Sequence, residues 1–318
     1  RIRCRYSIKN VTGRNTLPLV TFEDPIQIIL HSLVGSEGTL AFISEVTMKS
    51  VPLAPLQANA MVYFKDIAEA ARAVIALRSA KVSAAEMLDK RSLASVGAGE
   101  IEGLTAVLTQ TDACDQHQLG DNVAEITAIL RGFDTYGEVT FTTDPDEYGK
   151  YWAIRSGIFP TVGGMRKPGT TCLIEDVAFH IEDLPEAVKD LSELLERHGY
   201  DDSCIYGHAL DGNFHFIVNQ SFSTDSEAAR YKAMMEDVVE LVVKKYDGSL
   251  KAEHGTGRNM APYVEYEWGT KAFEVMKRLK KILDPQGILN PGVIFNDDPE
   301  CCFKNFKALP LLSAGEDA

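Results

Sequence analysis

The chain has 318 residues, of which 45% are hydrophobic and 25% are charged, a composition typical of a globular protein with one large or two ordinary domains. Its 32 Lys and Arg residues against 46 Asp and Glu residues give a formal net charge of −14, which argues against a nucleic-acid-binding protein because no basic surplus is present. The sequence has no run of 18 apolar residues, so no membrane-spanning helix is predicted.

The first 51 residues are predicted to consist of strands and loops. The opening stretch RIRCRYSIKN has the pattern of a strand, and since it starts at Arg1 we interpret the chain as a fragment or a processed piece. Further on, VGSEGTLAFISEVTMK combines a glycine-rich turn with an alternating strand. Its glycines permit positive φ and allow backbone N–H groups to converge on a phosphate, although a tight turn without a ligand explains them equally well.

Between residue 56 and about residue 246 the sequence alternates between strands and amphipathic helices. The strand ANAMVYF precedes a helix that begins at Asp66, and the strand around TTCLIEDVAF precedes a second helix that begins at Asp183 with a similar sequence. Further helices are predicted over about 116–132 and 225–246. Two halves that resemble each other in this way predict a duplicated ferredoxin-like arrangement, an antiparallel sheet with helices on one face.

The stretch GHALDGNFHF brings two histidines close together in the sequence. Asp211 and Gly212 favour a two-residue hairpin turn, and in that register His208 lies directly opposite His215, with the two Cβ atoms about 5 Å apart. Two imidazoles so placed can bind one metal ion, whereas a longer loop would break this pairing. Histidines that serve only packing are the alternative interpretation.

A third histidine lies beside a carboxylate in the stretch KAEHGTGRNM. Two histidines and one carboxylate with open coordination positions are typical of a catalytic metal site, so Glu253 is a candidate third ligand and His254 a candidate general base. A Glu-His pair beside glycines also occurs in ordinary loops. Arg155 and Arg166 are candidate clamps for a substrate carboxylate, because a guanidinium group donates two parallel hydrogen bonds, although most such arginines form surface ion pairs.

The C-terminal part of the chain contains a basic helix end and then the stretch DPQGILNPGVIF, which is predicted to form a turn and a short strand. Residues 301–318 are predicted to form a linker or a loosely packed arm. The six cysteines show no C-x-x-C spacing, so we expect free thiols in a reducing compartment.

Four of these segments, in this order, carry a family resemblance: VGSEGTLAFISEVTMK, GHALDGNFHF, AEHGTGR and DPQGILNPGVIF. Together they resemble the FAD-linked oxidases of the vanillyl-alcohol oxidase type, and among these the FAD-dependent D-2-hydroxyacid dehydrogenases. The stretch NDDPECCFKNFKALP also resembles the large bacterial members, in which a cysteine-rich iron–sulfur region follows the flavoprotein part.

The resemblance implies an α+β fold with a duplicated ferredoxin-like cap domain over 52–270. Residues 1–51 and 271–300 would be the C-terminal part of an α+β FAD-binding domain, and 301–318 would lead toward an iron–sulfur region outside this sequence. Such flavoproteins carry their first phosphate-binding loop in an N-terminal half that this sequence lacks. We therefore expect the chain by itself to bind FAD poorly.

The resemblance also implies roles for individual residues. The metal ligands would be His208, His215 and Glu253, with zinc as the expected ion, and His254 would be the base. The residues beside FAD would be Gly35, Ser36, Glu37, Gly38, Thr39 and Asn290. The resemblance assigns the substrate carboxylate to Arg155, and Arg166 is the alternative clamp. Leu210 stands where relatives often carry a small residue, which leaves the substrate open.

The activity that the resemblance implies is the metal-assisted oxidation of a D-2-hydroxy acid, D-lactate or D-2-hydroxyglutarate, to the 2-oxo acid, with hydride transfer to flavin N5. The expected partners are this small molecule and an electron acceptor, namely the iron–sulfur region, a quinone or an electron-transfer protein. The expected location is the cytoplasm, with peripheral attachment to the inner membrane as an option. A metal-dependent hydrolase that uses the same residues and a non-catalytic cap fragment stay open as alternatives.

Overall fold

The computed structural model describes residues 2–97, 103–304 and 306. Its α-helices are α1 (Ile2–Arg5), α2 (Pro18–Thr21), α3 (Pro25–Ser32), α4 (Ile67–Leu77), α5 (Lys90–Ser95), α6 (Gln116–Leu130), α7 (Pro145–Met165), α8 (Leu184–Arg197), α9 (Asp225–Val239), α10 (Val264–Trp268) and α11 (Thr270–Leu283). Its strands are β1 (Leu56–Phe64), β2 (Ala84–Leu88), β3 (Thr105–Ala113), β4 (Thr135–Tyr136), β5 (Thr171–Ala178), β6 (Cys204–His208) and β7 (Asn213–Gln220). Among the helices described, none is both long enough and apolar enough to cross a bilayer.

The chain forms two compact units. Unit 1 consists of the described residues of Arg1–Val51, Asp176–His180 and Val238–Phe306. Unit 2 consists of those of Pro52–Glu175 and Ile181–Asp237. The predicted linker over 301–318 lies mostly outside the described residues, apart from a short 3₁₀ turn at Cys301–Phe303. All six cysteines carry free thiols.

One seven-stranded sheet, in the order β4-β1-β3-β2-β6-β7-β5, runs through unit 2. Its edge strand beside β7 is β5. The pairs β1–β3, β1–β4, β2–β3, β2–β6 and β6–β7 are antiparallel. The sheet therefore joins strands from the first half of the chain to strands from the second through the β2–β6 pair. The predicted antiparallel sheet with packed helices is confirmed.

The helices predicted from periodicity are present. In α4 the side chain of Asp66 accepts a hydrogen bond from the N–H of Ala68 at 3.0 Å, which satisfies one of the free donors at the helix start. Along the same helix Val74 and Leu77 are fully buried, and burial of a side chain of this size contributes about 1.5–3 kcal/mol. The α4 helix packs against α6 and α8.

The α7 helix covers the opposite face of the sheet from α6. In β3, Ala106 belongs to one apolar cluster with Ile158 and Val162 of α7, whereas Thr111 accepts a hydrogen bond from Asn122 of α6. Residues 106 and 111 of a strand point to opposite faces because side chains alternate along it. Helices therefore cover both faces of this sheet, whereas the sequence analysis predicted helices on one face only.

The predictions of strands within residues 1–51 and in the stretch GILNPGVIF were wrong. Ile2–Arg5 is a turn of helix, and residues 41–54 adopt neither helix nor strand. A strand requires a neighbour for its N–H and C=O groups, and residues 41–54 pair with no described strand. Its apolar side chains are exposed instead, with Phe42 at 88% and Met48 at 84%.

Candidate active site

The hairpin that carries the two histidines has a longer loop than predicted. A 3₁₀ turn at Ala209–Asp211 and Gly212, with φ of 66°, separate β6 from β7, so the expected two-residue turn was wrong. His208 pairs with Asn213, and His215 pairs with Tyr206. The register differs from the predicted one by two residues. Because side chains alternate with a period of two, both histidines still point to the same face.

The two imidazoles lie edge to face in unit 2. Their ring centroids are 5.5 Å apart with an interplanar angle of 90°, and a ring nitrogen of His208 lies within 4.8 Å of one of His215. One ion can bridge this separation after small ring rotations, since zinc–imidazole bonds are about 2.0–2.1 Å long. His215 is buried, whereas the side chain of His208 is one-third exposed.

Gly207 fixes how closely the two strands approach beside His208. A Cβ at this position would lie 2.3 Å from the carbonyl oxygen of Asn213 and 2.8 Å from Cα of Phe214, both backbone atoms. Only glycine fits there without moving β7. The glycine of the GHA sequence therefore has a packing function that places the histidines.

Glu86, which the sequence analysis did not single out, lies directly opposite His208 on the neighbouring strand β2. Its Oε1 is 2.6 Å from Nδ1 of His208, and its Oε2 accepts a hydrogen bond from Nε of Arg155 at 2.7 Å. Burial acts to raise the pKa of Glu86, but the hydrogen bond from His208 and the charges of His208 and Arg155 outweigh it, so the pKa is lowered. A glutamate within the buried strand AAEML was the available sequence signal, because buried carboxylates need partners.

Arg155 is held by two contacts that leave its terminal nitrogens available. Its Nε donates to Glu86, and its Cζ lies 4.8 Å from the ring centroid of Tyr206. Within the described part of the chain, Nη1 and Nη2 donate to no other residue. Burial, partly opposed by the charge of Arg155, raises the pKa of Tyr206 to about 12, so the phenol is neutral. The arrangement presents a guanidinium edge that could take a carboxylate.

Arg166 lies at the other end of the same helix. It is the residue after the last turn of α7, where it donates to the backbone carbonyls of Gly163 and Thr170. Eleven residues of helix correspond to about 16 Å, so α7 does not bring Arg166 to Arg155.

In unit 1 a buried aspartate holds the loop that contains Glu253 and His254. Oδ2 of Asp176 accepts hydrogen bonds from three successive N–H groups, those of Ala252 at 2.9 Å, Glu253 at 2.7 Å and His254 at 3.0 Å. The side chain of Glu253 lies 3.2 Å from Nζ of Lys9 and 3.9 Å from Nε2 of His254. Asp176 was also missed from the sequence, although an acidic residue in a buried strand was again the signal.

The glycine-rich segment GSEGTL is bound to the other two motifs of unit 1. The carboxylate of Glu37 accepts hydrogen bonds from the N–H groups of Thr256 at 2.7 Å and Gly257 at 2.8 Å, and the Asn290 side chain donates to the Glu37 carbonyl at 2.8 Å. Gly35 and Gly38 adopt positive φ, and no atom lies within 4 Å of where a Cβ would stand. The glycines therefore have open space beside them. The carboxylate of Glu37, in contrast, is hydrogen-bonded to backbone N–H groups within unit 1.

Two cations hold the end of the same segment. Nη1 of Arg14 donates to Oγ1 of Thr39 at 2.6 Å, and burial lowers the pKa of this arginine to about 10. Nζ of Lys280 donates to the carbonyls of Thr39 at 2.6 Å and Leu289 at 2.7 Å and to Asp284 at 2.6 Å. Thr39 is thereby joined to the C-terminal end of α11 and to the ILNPG turn. Ser36 is buried in this segment.

Comparison with known proteins gives consistent matches. Residues 54–294 match the family described as FAD linked oxidases, C-terminal domain. Similar curated proteins include the mitochondrial D-lactate dehydrogenase [cytochrome] of Arabidopsis thaliana, 29% identical over 85% of this chain and 47% of that protein. Others are the glycolate oxidase subunit GlcD of Bacillus subtilis, 28% identical over 83% and 56%, and the D-2-hydroxyglutarate dehydrogenase of Stutzerimonas stutzeri, 26% identical over 91% and 60%. The chain spans about half the length of these relatives.

Solved structures share the fold. A p-cresol methylhydroxylase with substrate bound has a TM-score of 0.57 at 15% identity, covering 77% of this chain and 53% of that one. An alkyldihydroxyacetonephosphate synthase has a TM-score of 0.56 at 17% identity, covering 90% of this chain and 53% of that one. At these identities the likeness concerns the fold alone.

Proposed function

The chain belongs to the FAD-linked oxidase family, whose C-terminal domain it contains, and on this basis we propose that the protein oxidises a 2-hydroxy acid with FAD as the electron acceptor. The relatives named for D-lactate, glycolate and 2-hydroxyglutarate support this class of substrate. Within this class we propose a D-configured acid, D-lactate or D-2-hydroxyglutarate, which leaves as the 2-oxo acid.

The observation that supports the proposal is the way in which the guanidinium group of Arg155 is held. Its guanidinium is fixed through Nε and through the face of Tyr206, while neither terminal nitrogen donates to another of the residues that the structure describes. A planar guanidinium with two parallel donors matches a carboxylate, the group that all 2-hydroxy acids share. We propose Arg155 as the substrate-binding residue. Arg166 is a weaker candidate because it donates to the carbonyls at the end of α7.

The histidine pair fits a divalent metal. The two imidazoles are perpendicular, their nitrogens lie within 4.8 Å, and one ring is oriented by a carboxylate, as is usual for metal-binding histidines. We propose His208 and His215 as ligands, with zinc as the ion. Glu253 is proposed as a third ligand from its motif alone. A metal held there would supply a Lewis acid for the substrate oxygen.

The remaining roles follow the motifs of unit 1. We propose that a ring nitrogen of His254 accepts the proton of the substrate hydroxyl, as a general base, while Asp176 keeps the backbone of this residue in place. Gly35, Ser36, Glu37, Gly38, Thr39 and Asn290 are proposed to lie on the FAD side. When bound, the flavin would supply the acceptor for the C2 hydride at N5.

The test is a substrate screen with the unmodified protein and its Arg155 variants, assayed in the presence of FAD. We expect D-2-hydroxy acids, but not their L-isomers or the corresponding amides, to reduce a dye. Arg155→Met should raise KM for the acid at least 100-fold, since a charge-assisted bidentate contact is lost. A D-2-hydroxy acid whose KM is the same in Arg155→Met and in the unmodified protein would contradict the proposal.

A further inference from the structure

We propose that Glu86 is a positioning residue whose two carboxylate oxygens hold His208 and Arg155 in one fixed arrangement. This inference rests on the proposed function, because it takes His208 and Arg155 to face the metal and the substrate. It adds a residue that neither the motifs nor the resemblance assign.

The position of Glu86 makes a double contact possible. It is the direct cross-strand partner of His208, and its side chain lies on the sheet face that α7 covers. Oε1 lies 2.6 Å from Nδ1 of His208, and Oε2 lies 2.7 Å from Nε of Arg155. Glu86 is 5% exposed, so water competes little for either oxygen. One carboxylate thus connects a residue of β6 with a residue of α7.

The contact with His208 selects a tautomer. A carboxylate only accepts hydrogen bonds, so Nδ1 of His208 must carry the proton, and Nε2 becomes the nitrogen with a lone pair in the neutral ring. A metal requires such a lone pair. Without Glu86 the ring would lose an acceptor that favours the proton on Nδ1, and with it a contact that orients the ring.

The contact with Arg155 fixes which edge of the guanidinium is presented. Nε donates to Glu86, and Cζ lies over the ring of Tyr206, 4.8 Å from its centroid. The edge formed by Nη1 and Nη2 is therefore turned away from Glu86. Release of Nε would allow the long side chain to rotate, and the clamp would lose its preorganisation.

An amide cannot replace this carboxylate. Glutamine has one acceptor oxygen and one NH₂ donor, so it can accept from His208 or from Arg155 but not from both. In either orientation of the amide, the N–H of His208 or that of Arg155 would face the NH₂ group, which is itself a donor. Glu86→Gln keeps the size of the side chain and removes only the double acceptor, which makes it the diagnostic variant.

The first test reads the tautomer of His208 in the metal-free chain by ¹H–¹⁵N correlation spectra of the histidine rings. We expect the proton on Nδ1 in the unmodified chain, and a mixture or a shift to Nε2 in Glu86→Gln and Glu86→Ala. We also expect the Arg155 Nε–H to exchange faster with water. Glu196→Gln is the matched control, because Glu196 pairs with Arg91 in the same unit. Retention of the Nδ1 proton in Glu86→Ala would overturn the proposal.

The second test measures zinc affinity by competition with a chelator. Loss of a carboxylate that orients a metal-binding histidine costs about 10–100-fold in affinity, and we expect this weakening in Glu86→Gln but not in Glu196→Gln. Glu86→Asp retains the charge with a shorter reach. It should preserve one of the two contacts, and it serves as the test variant if the amide variant fails to fold.

The two tests separate the positioning role from the proposed function. If the unmodified chain binds no zinc, the metal assignment of His208 and His215 is wrong, while the tautomer spectra still decide the role of Glu86. If zinc binds equally well to the unmodified chain and to Glu86→Gln, the positioning role is wrong and the metal site stands.

Discussion

Oδ2 of Asp176 lies 2.7 Å from the backbone nitrogen of Glu253, and the same oxygen accepts hydrogen bonds from the residues on either side. One buried carboxylate oxygen therefore holds three consecutive amides in a shallow concave loop. The geometry explains how the AEHG motif keeps a defined backbone although Glu253 and His254 themselves are exposed.

We predict that Asp176→Ala destabilises the chain by about 3 kcal/mol, because three successive N–H groups, one in a buried and two in partly buried hydrogen bonds, lose a charged acceptor. Asp176→Asn keeps one acceptor oxygen and should cost less. Urea unfolding followed by circular dichroism measures both values. An alanine variant as stable as the unmodified chain would show that the three hydrogen bonds do not hold the loop.

Gly207→Ala should destabilise the β6–β7 pair strongly. The new methyl group would stand 2.3 Å from the carbonyl oxygen of Asn213, so the backbone must shift, and overpacking of this kind costs about 1–3 kcal/mol or more. The matched control is Gly120→Ala within α6, where no atom lies within 4 Å of the added Cβ. That substitution should stabilise the helix by about 0.5–1 kcal/mol. Relative to the unmodified chain, the midpoint temperature of thermal unfolding should fall in Gly207→Ala and rise in Gly120→Ala.

The two similar helix starts should respond differently to the same substitution. Asp66 accepts a hydrogen bond from the N–H of Ala68, whereas the side chain of Asp183 makes no capping hydrogen bond at the start of α8. Asp66→Ala should therefore cost about 1 kcal/mol, and Asp183→Ala should cost clearly less. Equal losses in urea unfolding would contradict this difference.

Stability should fall in acid partly through Asp284. The hydrogen bond from Lys280 outweighs burial and, with the N–H groups of Leu289 and Ile288, lowers the pKa of Asp284 to about 2. A lowered pKa in the folded state means that the ionised form stabilises the fold. This contribution is complete above the ordinary value of 3.8 and is lost as the pH falls from about 4 to about 2.

We predict that Asp284→Asn lowers stability at neutral pH and flattens the dependence of stability on pH between about 4 and 2. Urea unfolding at a series of pH values measures the slope. Asp201→Asn, at an exposed position, is the control and should leave the slope unchanged. A slope that is the same in Asp284→Asn and in the unmodified chain would rule out this contribution.

The sequence predicted some elements of unit 2 and few of unit 1, and it did not predict α5, α7 or β2 of unit 2. The helices α4 and α8 were found because apolar residues at a spacing of three and four indicate a buried stripe, which is a local property. The alternating segment around Phe42 and Met48 shows the limit of such patterns. It has the pattern of a strand, but a strand forms only beside a partner, and the pattern contains no information about one.

The histidine pair shows the same difference between what a local pattern predicts and what strand pairing decides, within one hairpin. The alternation of residues decided that His208 and His215 share a face, and this holds in either register because the two registers differ by two residues. The length of the turn decided which residue stands opposite which, and the 3₁₀ turn at Ala209–Asp211 was not evident from the Asp-Gly sequence.

The amino-acid sequence by itself determined the family, the alternation of strands and helices in unit 2, and the residue types that can bind a metal or a carboxylate, because these depend on short motifs and local periodicity. Only the tertiary structure decided that Glu86 meets His208 and Arg155, and that Asp176 meets the loop at Glu253. The partners of each carboxylate lie about 70 or more positions away in the chain. Such contacts result from strand order and register, and a buried carboxylate in a sequence shows that it needs partners without showing which ones.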